Sequence, residues 1–205
     1  MVTSLSPGKS KGINIVEWGF TIKQPKVAKG KTLSFGGFTS PRVQEGIYTA
    51  VIKKGKDVFE NKFELVYDPV TGLSITDRKK KHTITMQLYD MTQELAYIVY
   101  ELDLIISKLS PKSKALKSFQ ELKETLVITK GDNYVGAVES QLREKMADLY
   151  SKVAESWDVP SNSELDNYEI IKKRFEKAKK AFNKLKSKVR IKEFKIDSFE
   201  KFLSN

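Results

Sequence analysis

The sequence predicts an α+β chain: a small antiparallel β-sheet domain over residues 1–73, followed by an antiparallel helical bundle with one long helix over residues 74–205. Two observations carry this reading. Most of the glycines and four of the six prolines lie before residue 74, where Gly and Pro punctuate short alternating segments. The spacing of apolar residues also changes there, from every second residue to steps of three and four, which is the difference between a half-buried strand and one face of a helix.

In the first part the alternation runs through Ile13 and Ile15, then Ile47, Thr49 and Val51, then Phe63, Leu65 and Tyr67. Strands are expected at 12–19, 31–35, 46–54 and 57–68. Lys53-Lys54-Gly55-Lys56 reads as a hairpin turn with Gly55 at a position of positive φ. Gly36-Gly37 reads as a turn.

From Ser74 onward the period is helical. Ile84, Leu88, Met91, Leu95, Ile98, Leu102, Ile105 and Leu109 place one apolar residue on the same face at every turn. Ser74 and Asp77 can satisfy the free N–H groups at the start, and Ser110-Pro111 stops the helix. This helix is expected to be continuous, with Arg78 to Lys81 reaching toward the sheet as a strut. A second helix is expected from Ser113 to Val127, a third from Tyr134 to Trp157 and a fourth from Ser163 to Val189. Short connections favour antiparallel neighbours. The tail from Ile191 to Leu203 is apolar enough to dock as a short strand or helical turn.

Composition removes several function classes. The chain has 205 residues, no cysteine and one histidine, His82, so disulfides, thiolate zinc sites, cysteine nucleophiles and paired catalytic imidazoles are excluded. Gly8-Lys9-Ser10 lacks the glycine that a phosphate loop needs five residues earlier, where Thr3 stands. His82 follows a run of four basic residues with no orienting partner in the pattern, and reads as an exposed surface histidine. Glu144 and Asp148, one turn apart, could pair as carboxylates in a hydrolase, although such acids usually form a solvated face. No catalytic, cofactor-binding or metal-ligating residue is assigned, and no cofactor is implied.

The net charge is +11, with the excess gathered on the last helix and tail. Only five of the 37 basic residues are arginine, which argues against forked recognition of phosphates or base edges. Lys172, Lys173, Lys177, Lys179, Lys180, Lys184 and Lys186 avoid the apolar seam of the fourth helix and are expected to point outward. Nucleic acid is therefore an unfavoured partner. No run of about 20 apolar residues spans a membrane, and the N-terminus has no apolar core of a signal peptide.

One succession is more specific. Gly12-Ile13-Asn14-Ile15-Val16-Glu17-Trp18, then Pro41-Arg42-Val43-Gln44-Glu45-Gly46-Ile47-Tyr48-Thr49-Ala50-Val51-Ile52, then Phe63-Glu64-Leu65-Val66-Tyr67-Asp68-Pro69 resembles the C-terminal region of bacterial sortilin-type proteins. Those are large exported proteins with Asp-box β-propellers, often labelled glycosyl hydrolases. Glu45 and Val70 depart from the family pattern, which favours proline and arginine there. The resemblance implies a fibronectin-III or immunoglobulin-like sheet followed by helices, with Trp18 in the sheet core, Gly46 at a tight turn, and Tyr48 inside with its hydroxyl on a backbone partner.

Such a sandwich has about seven strands, and only about four fit here. The resemblance thus implies an incomplete sheet of three to five strands, an open edge, and a Met1 that is an internal cut or a misassigned start. It also implies a non-catalytic accessory module of an exported protein. The expected partners are the parent propeller, another protein, a carbohydrate, or a second copy at the open sheet edge. The alternatives are binding of nucleic acid or an acidic surface through the Lys-rich last helix, and a hydrolase using the carboxylate pair.

Overall fold

A computed structural model describes residues 2–8, 10–31, 39–130, 139–189 and 195–204. The chain is mixed α+β: a two-stranded antiparallel sheet and five helices among the described residues. The strands are β1 (Gly46–Lys54) and β2 (Asp57–Leu65), in register from Gly46 opposite Leu65 to Lys54 opposite Asp57. Gly55 takes φ 61° in the turn between them, a left-handed conformation that glycine adopts without a Cβ penalty.

The helices are α1 (Ile75–Lys108), α2 (Lys114–Leu126), α3 (Leu142–Glu155), α4 (Asn162–Lys186) and the short α5 (Phe199–Ser204). Thirty-four residues of α1 span about 51 Å at ~1.5 Å per residue, without a break. Its start is fixed as expected, with the Asp77 N–H donating to the Ser74 hydroxyl at 3.1 Å. Another cap, at α4, is reciprocal: the Glu164 N–H donates to Ser161 Oγ, and the Ser161 N–H donates to the Glu164 carboxylate at 2.7 Å.

The core lies among the helices. Leu88, Leu95, Leu102 and Ile105 of α1 are fully buried against Phe119 of α2, Met146 and Tyr150 of α3, and Phe175 and Phe182 of α4. Leu109, at the end of the seam, is half-buried and packs on the same core. Ala28, from the N-terminal part, also belongs to it. Arg143 explains how that part is held: it is buried on α3, pairs with Glu144 and donates to the Ala28 carbonyl at 3.0 Å. A Cβ on Gly30 would lie 2.6 Å from the Arg143 guanidinium, so any larger residue there must push that buried group aside. Nearby, the buried Tyr150 hydroxyl donates to the Thr39 carbonyl at 2.8 Å.

Several expectations are corrected. The described sheet has two strands rather than three to five. Residues 12–19 alternate but form no strand; Ile13 and Ile15 are 93% and 81% exposed. Alternation describes one chain, whereas a strand needs a partner, and among the described residues the pairing nearby is a single bridge from Thr21 to Arg42. Of the strand expected at 31–35, Lys31 is not in a strand and the remainder lies outside the described residues, as do Gly36-Gly37 and Lys9. Similarly, α3 begins at Leu142 rather than Tyr134: residues 139–141 are not helical, and 131–138 lie outside the described residues.

Lys179 and Lys186 also differ from expectation. Their ammonium groups fold back to Glu94 and Glu101 on α1, because a lysine stem is long enough to cross the edge of a seam. The tail docks as a helical turn. Phe199 and Phe202 pack on Tyr97, Phe202 also meets Tyr100, and the Tyr97 hydroxyl donates to the Asp197 carbonyl at 2.8 Å.

Candidate functional site

The hairpin emerges from the helical body with little cover. On one face Tyr48, Ile52, Phe59 and Phe63 align, because residues directly opposite in an antiparallel pair share a side. Near the base that face is closed by Trp18, whose ring meets Tyr48 and Phe63 edge-on at 5.6 and 6.2 Å. Trp18 and Tyr48 are half-buried, and the Tyr48 hydroxyl donates to the Gln44 carbonyl at 2.6 Å. Toward the tip the cover ends: Ile52 is 63% and Phe59 57% exposed, while Ile47, Val51 and Val58 stand bare on the opposite face. Neither outer edge pairs with another strand among the described residues.

At the hairpin base lies a groove of about 320 Å³ between the end of β2, residues 42–45, the first turns of α1 and the end of α3. Its walls combine apolar side chains, including Phe20, Val43, Val66, Leu73, Ala154 and Trp157, with four cationic and two acidic ones. Arg78 is engaged with its surroundings: it forks onto Glu45, donates to the Leu73 carbonyl and lies over the Tyr67 ring. That arrangement ties α1 to the hairpin base, and the guanidinium holds the Glu45 carboxyl below its usual range.

The remaining cations are placed differently. Arg42 stacks on Trp157 with its guanidinium carbon 3.8 Å from the ring centroid. Lys81 donates to the Ser156 carbonyl. Burial, together with the charge of Arg42, holds its ammonium below the usual lysine range, while Asp158 acts in the opposite direction.

His82 also lines this groove and is half-buried, not exposed as expected from its basic flank. Burial lowers its pKa, because the protonated ring loses hydration. The two carboxylates singled out in the sequence do not form an acid–base pair. Glu144 accepts from the Gln141 N–H and pairs with Arg143, while Asp148 pairs with Lys152 on an exposed face. Neither lines the groove.

Sequence reasoning missed the groove because its walls come from five separate segments. The one local signal was Arg42 and Arg78, two of only five arginines, both in the resemblance region or beside it. Among the described residues no group of His, Asp and Glu is placed to hold a metal ion, and no helix is long and apolar enough to cross a membrane. No family model, curated protein or solved structure matches this chain.

Proposed function

We propose that the chain is a non-catalytic interaction module whose projecting hairpin captures a partner polypeptide. The carrying observation is the pair of nine-residue strands with exposed Ile52 and Phe59 and, among the described residues, two unpaired edges. An isolated hairpin is only marginally stable in water, and an open apolar edge invites strand addition. In this reading the hairpin belongs to a fibronectin-III or immunoglobulin-like sheet completed by partner strands, and the helices form an antiparallel bundle that supports it. Following the resemblance, the partner is the β-propeller of an exported sortilin-type parent.

The Lys-rich α4 is less suited to be the contact surface. Lys179 and Lys186 are occupied by α1 carboxylates, and Glu169 and Glu176 interrupt the patch formed by Lys172, Lys173, Lys177 and Lys180.

A photo-crosslinking amino acid at Ile52 or Phe59, and separately at Lys177, tests this in extract of the producing cells. One defined protein crosslinked from the hairpin and absent in an Ile52→Glu/Phe59→Lys variant is expected. Crosslinks arising mainly from Lys177, or to nucleic acid, would overturn it.

A further inference from the structure

We propose that the groove at the hairpin base binds a small amphipathic anion: a carboxylate on an aliphatic or aromatic body. The argument starts from charge. Arg42 and Lys81 both line the cavity, alongside apolar side chains such as Phe20, Val43, Val66 and Trp157, and among the described residues neither forms an ion pair. The two carboxylates on the walls are used otherwise: Glu45 is forked by Arg78, and Asp68 accepts from the Val70 N–H. The half-buried Lys81 is repelled by the exposed Arg42, Asp158 offsets part of that repulsion, and a bound anion would offset more.

Shape and exposure give the rest of the ligand. A volume of about 320 Å³ falls at the lower end for small-molecule sites. At its rim Phe20, Val66 and Trp157 are 45%, 70% and 58% exposed, apolar surface that a ligand body would cover. The Arg42 guanidinium, already held flat on Trp157, offers the planar fork that matches a carboxylate. Lys81 supplies a second point charge, and His82 lies alongside. This site is independent of partner capture by the hairpin tip.

Octanoate is a suitable probe, with 1-octanol and octylamine as uncharged and oppositely charged controls. Because His82 is the only histidine, its imidazole NMR signals report on the groove without overlap. Trp157 fluorescence in a Trp18→Phe background gives a second readout. Saturable octanoate binding is expected, with Kd of roughly 0.1–1 mM for a ligand of this size. Arg42→Gln and Lys81→Gln should each weaken it by roughly tenfold, the effect of one charge-assisted hydrogen bond. Lys172→Gln/Lys177→Gln on α4, and Ile52→Glu/Phe59→Lys on the hairpin, should leave it unchanged. If Lys81→Gln fails to fold, Arg42→Gln and Arg42→Lys decide alone, since the Arg42 side chain is exposed. Equal binding of octanoate and octanol, equal weakening by the α4 variant, or undisturbed His82 signals would overturn the proposal.

Discussion

Replacing Lys186 by methionine should destabilise the protein more than removal of any other lysine charge on α4. Its ammonium pairs with Glu101, whose side chain is 5% exposed on α1, while the Lys186 side chain is 34% exposed. Breaking a fully buried pair leaves an uncompensated charge and costs about 3–5 kcal/mol. Water reaches the lysine side here, so part of that cost is screened and ~1–3 kcal/mol is expected. In a chain of this size that corresponds to a fall in Tm of about 2–4 °C per kcal/mol.

Urea unfolding followed by far-UV circular dichroism measures the loss. The same measurement on Lys186→Met/Glu101→Leu should recover most of it, because an apolar pair can replace a buried ion pair at little net cost. Lys172→Met, from an exposed position, should stay within about 0.5 kcal/mol of the parent. A Lys186→Met variant as stable as the parent, or a double-mutant cycle with no coupling, would refute the placement of this pair.

Gly30→Ala should lose about 1–3 kcal/mol, because the new methyl would meet the Arg143 guanidinium, itself held by Ala28 and Glu144; thermal unfolding reads this directly. Ile52→Glu/Phe59→Lys should change global stability by less than about 1 kcal/mol, since both positions are exposed and the new charges oppose one another across the ladder. Acidification should cost stability through His82. Its folded pKa lies below the unfolded value of 6.5, so the unfolded chain takes the proton first and stability falls as pH drops through 6.5 toward the folded value. Arg42, Arg78, Lys79 and Lys81 share the groove with it, offset by Glu45 and Asp68. His82→Gln should flatten that part of the pH profile in urea unfolding between about pH 7.5 and 5.

The helices were legible because their information is local. Leu88, Leu95 and Leu102 repeat on one face whatever they pack against, and Ser74 caps by contacts within its own turn. The hairpin was legible for the same reason: Gly55 sets the turn and alternation sets both strands. Residues 12–19 show where this fails. Their alternation is as regular as that of β1, yet Ile13 and Ile15 face solvent because nothing in the local pattern specifies a pairing partner.

Long polar side chains were misjudged in both directions. Lys179 and Lys186 return to α1, and Glu101 and Arg143 are buried at positions where charge alone suggests solvent. The groove was hidden more thoroughly. His82 acquires its half-buried setting from residues around 20, 42, 66 and 157, none of which is near it in sequence.

An uncovered hairpin standing on a packed helical body should open independently of that body. Native-state hydrogen–deuterium exchange of the free protein tests it most directly. Amides of α1 from Leu95 to Leu102 should exchange only through global unfolding. Those of β1 and β2 that point outward from the two-stranded ladder should exchange quickly, and the inward ones by a local opening well below the global free energy. Hairpin amides as protected as those of Leu95 to Leu102 would contradict the account, because they would show that the strands are already covered.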